Sequence, residues 1–210
     1  MSDLLEEQLR RGPSAAHTEG GSTAALELLL ERIGSEDLAD VVYTELDSPF
    51  GPLQAAATRR GLVHLAFPEQ DRGETLALLA RRISPRIVRA PRRLEQLRRE
   101  LAQYFEGTRR EFEVALDWSL IGPFATRVLR RTASIPYGGH LSYAEVAAAA
   151  GSPGGARAAG NALGSNPIPI VIPCHRVLRA GGALGGYGGG LERKRLLLEL
   201  EGALTPPLSG

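Results

Sequence analysis

The spacing of apolar residues changes along the chain, and the changes mark out its elements. Strand-like patterns fill "VVYTELDSPFG" and "LQAAATRRGLVHLAFP", and "TRRG" is typical of a hairpin turn between two strands. Helical spacing in "DRGETLALLARRI" and "RRLEQLRRELAQYFEG" predicts two helices, and "REFEVAL" predicts one more strand. Residues 39–116 are therefore predicted to form an α+β domain, a small antiparallel sheet with helices.

Helical spacing follows "DWSLIGP", where a second domain over residues 119–204 is predicted to begin. "PFATRVLRRTASIP" predicts a helix ended by Pro136, and "LSYAEVAAAAG" predicts a helix that Ser142 caps and Gly151 ends. "SPGGARAAGNALGSN" predicts a further helix after a short turn. The last two helices, with the glycine-containing turn between them, are a helix-turn-helix candidate.

The second helix of this pair has an unusual composition. Alanine and glycine make up most of it, and Arg157 is its one large charged side chain. A smooth face of small residues can pack inside the protein, or it can lie close against another surface. If that surface is DNA, the lack of base-contacting polar side chains favours the minor groove, with one arginine inserted.

The two ends of the chain lie outside these domains. Residues 1–38 contain two helical patterns, "SDLLEEQLRR" and "STAALELLLERIG", joined by a segment with glycine, serine and proline. We expect an N-terminal extension there, helical or flexible, and a short tail at residues 205–210.

Composition narrows the class of protein. With 43% hydrophobic and 23% charged residues, the chain has no apolar run near the roughly 20 residues of a membrane span. Its N-terminus lacks the basic start and apolar block of a secretory signal. The single cysteine cannot form an internal disulfide and leaves no usual ligand set for zinc. We therefore expect a cytoplasmic protein without a metal or a membrane partner.

The net charge of +1 conceals an asymmetry. Residues 119–210 carry nine Arg and Lys against four Glu, a balance of +5, which leaves −4 for the rest of the chain. A basic C-terminal part joined to a more acidic remainder suggests that the C-terminal part meets a polyanion such as nucleic acid.

The only cysteine, Cys174, lies directly before His175 in "NPIPIVIPCHRV". The three prolines predict a stiff extended segment over residues 166–173, in which neighbouring side chains point to opposite faces. A water or another group must then link the thiol to the imidazole. A thiol without a base or a positive charge nearby is a small buried hydrophobe rather than a nucleophile. A base in turn needs an orienting carboxylate, for which the candidates are Glu192, Glu199 and Glu201.

A wider motif surrounds this pair. "PCHRV", with "NPIPIVI" before it and "GGYGGGLERKRLLLELEG" after it, closely resembles the active-site signature of the O6-alkylguanine-DNA alkyltransferases, also called methylated-DNA–protein-cysteine methyltransferases. The resemblance extends through "IPYGGHLSYAEVAAAAGSPGGARAAGNALGSNP" and, more loosely, "LDSPFGPL" and "LAQYFEG", over roughly residues 40 to 203. It implies an N-terminal ribonuclease-H-like α+β domain and a C-terminal domain like a winged helix-turn-helix.

The resemblance also implies a reaction. Cys174 would take the alkyl group from O6 of a damaged guanine in double-stranded DNA, with O4-alkylthymine as a further substrate to test. His175 would deprotonate the thiol through a water, and Glu201 would orient His175. The thioether is stable, so the protein would act once and need no cofactor. We expect a monomer.

The guanine must leave the duplex to reach a buried thiol. By resemblance, Arg157 would enter the vacated stack through the minor groove, and Tyr143 would contact the base and help to rotate its phosphate. Tyr187 would donate to the base or stack near it, and the backbone carbonyls of Val177 and the cysteine would accept from the exocyclic amine. Asn166 would brace the turn that precedes the active-site segment.

One position departs from the family pattern. Gly188 stands where many relatives have a serine, so only its backbone N–H could contact the O6 region. Two other functions stay open: a non-catalytic protein that recognises alkylguanine and signals other repair proteins, and a multiple-turnover thiol hydrolase. The retained Cys174 argues against the first.

Overall fold

A computed structural model describes residues 39–204 of the protein. The extension expected at residues 1–38 and the tail at residues 205–210 lie outside these described residues. In chain order the strands and α-helices are β1 (Val41–Leu46), β2 (Leu53–Thr58), β3 (Gly61–Ala66), α1 (Arg72–Arg82), β4 (Ile87–Arg89), α2 (Glu95–Phe105), α3 (Pro123–Ala133), β5 (Leu141–Ser142), α4 (Tyr143–Ala149), α5 (Ala156–Gly164), β6 (Val177–Leu178) and α6 (Leu191–Leu200). Short 3₁₀ turns cover Pro91–Leu94 and Cys174–Arg176.

The N-terminal part is built on a four-stranded sheet in the order β3-β2-β1-β4. The first three strands pair antiparallel, and the hairpin predicted at "TRRG" joins β2 to β3. Gly61 ends that turn at a φ of +134°, where a Cβ atom would lie 2.2 Å from the Ala115 carbonyl oxygen, so a side chain does not fit. The α+β class is confirmed, but the sheet is mixed, because β4 runs parallel to β1.

The sequence misplaces one strand of this sheet. The pattern "REFEVAL", residues 110–116, forms only a single bridge, between Leu116 and Leu62. The fourth strand is instead β4, which alternation does not detect because it is three residues long and begins two residues after Pro85.

Both faces of the sheet are covered. On β1, Val41 packs with Leu79 of α1 on one face, while Val42 belongs to the main core on the other. That main core includes Leu97 and Leu101 of α2, which are at most 2% exposed. The alternation of the strand therefore places one helix on each side of the sheet.

The C-terminal part is mostly helical, as the spacing predicts. Ser142 accepts a hydrogen bond from the backbone N–H of Glu145, and the Glu145 carboxylate accepts one from the backbone N–H of Ser142, a reciprocal cap that starts α4. α4 packs against α5 through buried small residues such as Ala147 and Ala159. The predicted helix-turn-helix pair is thus present, with β5 and β6 forming a two-stranded parallel sheet beside it.

The two parts share one hydrophobic core and are also joined by hydrogen bonds. The backbone N–H of Leu65 on β3 donates to the carbonyl of Pro167 at 2.8 Å, and the Tyr104 hydroxyl on α2 donates to Glu201 at 2.7 Å. The N-terminal sheet therefore contacts the segment that leads to Cys174. Within residues 39–204, none of the helices combines the length and the apolarity that crossing a membrane requires.

Candidate active site

The segment over residues 166–173 folds back on itself instead of extending, so the sequence prediction is wrong here. Proline fixes its own φ, but Ile170 takes a φ of +73° and reverses the chain. The carbonyl of Ile168 accepts from the N–H of Ile172 at 2.9 Å across this turn. The Asn166 side chain holds it closed, because it accepts from Ile168 N–H at 3.0 Å and donates to the Ile172 carbonyl at 2.9 Å.

Cys174 follows this turn and begins a 3₁₀ turn of its own, over Cys174–Arg176. Its side chain is sheltered, since the residue is 6% exposed, and the Nδ2 of Asn166 donates to its Sγ at 3.1 Å. Burial raises the pKa of the thiol to about 11, and the hydrogen bond from Asn166 opposes that rise. The resting thiol is therefore protonated at neutral pH and needs a base.

His175 follows Cys174 in the chain and is fully buried, and its Nε2 is 2.9 Å from Oε1 of Glu201. No hydrogen bond joins the thiol to the imidazole among the described residues. Extended backbone, which the sequence predicted, is not the reason that the thiol and the imidazole lack a hydrogen bond, because Cys174–Arg176 form a 3₁₀ turn. Burial lowers the pKa of His175, and Glu201 opposes that fall, so the imidazole is neutral at pH 7.

Glu201 is the only one of the three candidate carboxylates that contacts His175. It caps the end of α6 and is only 5% exposed. Arg176 donates to both of its oxygens, at 2.8 and 2.9 Å, Tyr104 donates at 2.7 Å, and the N–H of Gly138 donates at 3.2 Å. Burial opposes ionisation, but the hydrogen bonds from His175 and Arg176 outweigh it and lower the pKa of Glu201 to about 2.

The charge of Glu201 determines which nitrogen of His175 is free. An ionised carboxylate only accepts hydrogen bonds, so Nε2 must carry the proton that it donates to Glu201. Nδ1 is then the unprotonated nitrogen. It is buried, and within residues 39–204 it has no hydrogen-bond partner. The lone pair of a neutral imidazole is thereby left available to accept a proton.

Two cavities meet at Cys174. An open groove of about 1100 Å³, including the space open to solvent, is lined on one side by Tyr143 and Arg157. A smaller cavity of about 450 Å³ extends towards Phe67 of the N-terminal part. The lining residues that the two cavities share are Leu163, Gly164, Cys174, Tyr187 and Gly188.

The side chains around the groove differ in how they are held. Tyr143 at the start of α4 donates to the Gly186 carbonyl at 3.1 Å and lies 3.7 Å from where a Cβ on Gly160 would be. The Tyr187 hydroxyl is buried without a hydrogen-bond partner in the described part of the chain, and burial raises its pKa well above 10. Arg157 is exposed on α5 and lines the groove.

The remaining two residues expected at the site also line it or support it. Gly188 lies on the wall of both cavities, and a Cβ there would stand 3.3 Å from the Gly164 carbonyl oxygen, tighter than ordinary contact. The carbonyl of Val177 accepts from Nζ of Lys194 at 2.6 Å, so one of its two lone pairs is already engaged. Lys194 itself is fully buried.

Comparison with known families assigns both parts of the chain. Residues 41–118 match the model described as "6-O-methylguanine DNA methyltransferase, ribonuclease-like domain", and residues 123–203 match "6-O-methylguanine DNA methyltransferase, DNA binding domain". The chain belongs to the 6-O-methylguanine DNA methyltransferase family. The resemblance seen in the sequence is thus confirmed.

Individual members of this methyltransferase family are similar over most of their length. The chain is 44% identical over 165 residues to a Mycobacterium bovis methylated-DNA–protein-cysteine methyltransferase, covering 78% of this chain and 94% of the relative. It is 37% identical over 147 residues to the inducible Bacillus subtilis enzyme of that name, covering 70% and 82%. The crystal structure of the Mycobacterium tuberculosis O6-methylguanine methyltransferase superposes with a TM-score of 0.67 at 42% identity, covering 80% and 96%. A further structure shows the M. tuberculosis protein in complex with DNA, also at a TM-score of 0.67.

Sequence reasoning missed three residues of this methyltransferase's site. Arg176 and Tyr104 complete the shell of Glu201, and Lys194 supports the Val177 carbonyl. Arg176 follows the Cys-His pair directly, so its place in "PCHRV" was a signal. Tyr104 lies 97 residues before Glu201, and no local pattern connects them. Within residues 39–204, no three His, Cys, Asp or Glu side chains are grouped so that they could hold a metal ion.

Proposed function

We propose that the protein repairs DNA by direct reversal, transferring the alkyl group of O6-alkylguanine irreversibly to Cys174. Family membership supports methylated-DNA–protein-cysteine methyl transfer as the activity. The observation that carries the assignment to Cys174 is its position where two cavities meet, with the His175–Glu201 pair behind it. A lone buried thiol without such partners would be inert.

The chemistry is a displacement at carbon. The proton of the Cys174 thiol passes through a water to Nδ1 of His175, and Sγ attacks the alkyl carbon in line with the bond to O6. The S–C bond forms as the C–O6 bond breaks, and the electron pair leaves with the guanine, which takes up a proton as the His175 imidazolium returns its own to water. The product is a thioether that water does not cleave, so each molecule reacts once and needs no cofactor.

Glu201 acts through His175 and does not touch the substrate. Its carboxylate fixes the ring by accepting from Nε2, and it stabilises the positive charge that the imidazole gains when Nδ1 takes the proton. Asn166 positions the thiol by donating to Sγ, and this hydrogen bond also favours the thiolate as it forms. The two side chains together favour a reactive sulfur within a buried site.

The groove along α4 and α5 is the proposed face for double-stranded DNA. The exposed side chain of Arg157 fills the place of the flipped guanine, and Tyr143 contacts the base at the mouth of the groove. Small residues of α5 allow the helix to approach the duplex closely. The balance of +5 over residues 119–210 supports contact with phosphates.

Inside the pocket, unpaired groups receive the base. The Tyr187 hydroxyl donates to the flipped guanine. The guanine is thus the hydrogen-bond partner that this hydroxyl lacks in the free protein. The second lone pair of the Val177 carbonyl and the carbonyl of Cys174 accept from the exocyclic amine. Gly188 offers its backbone N–H near O6.

The remaining parts of the proposal concern organisation. We propose a ribonuclease-like domain over residues 39–116, a DNA-binding and catalytic domain over residues 119–204, and flanking segments at 1–38 and 205–210. We propose action by a monomer in the cytoplasm, where a reducing environment preserves the single thiol.

The function is tested by counting repaired bases. Duplex DNA containing O6-methylguanine is incubated in excess with the protein, and the loss of the modified base is measured at completion. We expect one equivalent repaired per molecule, and none by Cys174→Ala. Tight binding without loss of the modified base would favour the alternative of a recognition protein, and repair of many equivalents would favour the thiol hydrolase.

A further inference from the structure

Tyr187 sits on a loop whose own backbone restrains it little. The stretch "GGALGGYGGG", residues 181–190, has seven glycines, and glycine has the greatest backbone freedom of any residue. A single turn closes around the tyrosine, where the N–H of Gly190 donates to the Tyr187 carbonyl at 3.1 Å. The fixed position of the Tyr187 side chain therefore needs support from outside the loop.

The ribonuclease-like domain supplies one such support. Phe67, just after β3, is buried and packs edge-on against the Tyr187 ring, with centroids 6.2 Å apart and planes at 70°. Gly189 lets the two rings come this close: a Cβ there would lie 2.4 Å from Phe67 and 2.7 Å from Tyr187. The loop is thus fitted against a side chain of the other domain.

Arg193 on α6 contacts both Phe67 and the loop that contains Tyr187. Its guanidinium carbon lies 4.7 Å from the centre of the Phe67 ring, and its Nη1 donates to the Gly189 carbonyl at 3.0 Å. Its Nη2 pairs with Glu69, two residues beyond Phe67 in the ribonuclease-like domain. One side chain therefore contacts the loop and the other domain at the same time. A cation over an aromatic face and a hydrogen bond to a backbone carbonyl are each directional.

We propose that Phe67 and Arg193 form a clamp between the domains that positions Tyr187 for alkyl transfer, so that the ribonuclease-like domain sets the rate of the reaction. The proposal rests on the proposed function of Cys174 and on the role of the Tyr187 hydroxyl there. Phe67 and Arg193 are positioning residues, because they act through Tyr187. Phe67 and Tyr187 also line the cavity that contains Cys174, so a shift of the loop changes the space around the thiol.

The clamp is tested with free O6-benzylguanine, which reports on the chemistry without DNA binding. The limiting rate constant of benzyl transfer to the full-length protein is measured by intact mass. We expect Arg193→Ala to lower it roughly tenfold, the order that follows from losing a cation–π contact and a hydrogen bond. Arg193→Lys should recover part of the rate, because it keeps a cation over the ring. Arg195→Ala is the matched control, an exposed arginine two residues along the same helix that should react at the wild-type rate.

A double-mutant cycle separates positioning from general stability. In a Tyr187→Phe background, where the hydroxyl is already gone, Arg193→Ala should change the rate less than twofold. An equal loss in both backgrounds, or a wild-type rate for Arg193→Ala, would overturn the clamp while leaving the proposed function intact. Absence of benzyl transfer by the wild-type protein itself would overturn the proposed function, and the clamp with it.

Discussion

The two sides of His175 differ in how completely their polar groups are paired. On the Nε2 side, Glu201 accepts hydrogen bonds from the imidazole, Arg176, Tyr104 and the Gly138 backbone. The unpaired side consists of the imidazole Nδ1 and the hydroxyl of Tyr187, whose ring packs edge-on against the imidazole with centroids 6.5 Å apart; both atoms are buried and lack partners in the described chain.

Buried polar groups are nearly always paired, because leaving one unpaired costs about 1–3 kcal/mol. The unpaired side is therefore the side where a water and the substrate complete the structure. The paired side is the rigid support that keeps the other in place. The groups that stabilise the fold thus lie on one side of the imidazole ring, and the groups that react lie on the other. Substitutions can therefore affect one side and leave the other unchanged.

The largest expected effect comes from removing charge on the paired side. Glu201→Gln keeps the shape of the side chain but leaves the Arg176 guanidinium buried without its counter-charge. We expect the free energy of unfolding to fall by about 3–5 kcal/mol, measured by denaturant unfolding. Glu199→Gln, on the same helix but outside this cluster, is the control and should change stability by less than about 0.5 kcal/mol. Equal small losses in both variants would show that the cluster contributes little.

Acid should weaken the paired side next. The pKa of Glu201 is lowered from 4.5 to about 2 in the folded protein, so the stability it contributes is complete above pH 4.5 and is lost as the pH falls towards 2. The difference in unfolding free energy between the wild-type protein and Glu201→Gln should shrink by roughly 3 kcal/mol over that window. Taking this difference removes the contribution of other carboxylates such as Asp40, whose pKa is also lowered to about 2. If the difference in unfolding free energy stays constant with pH, the folded state does not lower the pKa of Glu201.

Arg157 should affect only the substrate that has to be flipped. Because this arginine serves base extrusion, Arg157→Ala is expected to slow repair of duplex O6-methylguanine by more than about tenfold, since the arginine offsets part of the few kcal/mol that flipping costs. Its reaction with free O6-benzylguanine should change less than about twofold. The measurement is the rate of Cys174 alkylation by each of the two substrates, in the wild-type protein and in Arg157→Ala. Equal losses on the two would place Arg157 in the chemistry or in the stability of the fold.

The smallest expected effect is that of pH on the rate of alkyl transfer, through the protonation of His175. Burial lowers the pKa of His175 below 6.5, so the imidazole remains a neutral base down to that pH. The rate with free O6-benzylguanine should therefore change less than about threefold between pH 8 and 6.5, and it should fall tenfold per unit only in more acidic buffer. A rate that already falls with an apparent pKa at or above 6.5 would contradict this.

The sequence predicts the local parts of this arrangement better than the long-range ones. The cap at Ser142 follows from a Ser and a Glu three residues apart, and the helix-turn-helix pair follows from helical spacing and glycine, because these signals lie within a few residues. Cys174, His175 and Asn166 come from one motif. Tyr104 could not be connected with Glu201, since only the packing of the N-terminal part against the C-terminal part brings them together.

Two errors have a common cause. The prolines of residues 166–173 predict extended backbone residue by residue, yet the Asn166 side chain and a positive φ at Ile170 close a turn between them. Likewise, β4 is a strand because β1 offers a free edge, not because its three residues alternate. In both places hydrogen bonds between residues override the preference of each residue on its own: within residues 166–173 at the turn, and to β1 at the strand.

That Cys174 is the residue that accepts the alkyl group is tested most directly by peptide mapping with mass spectrometry after reaction with duplex DNA containing O6-benzylguanine. We expect one benzyl group, in one equivalent, on the peptide containing Cys174, and no change in the other peptides. An unmodified Cys174 peptide after the lesion has disappeared, or a benzyl group on another residue, would contradict it.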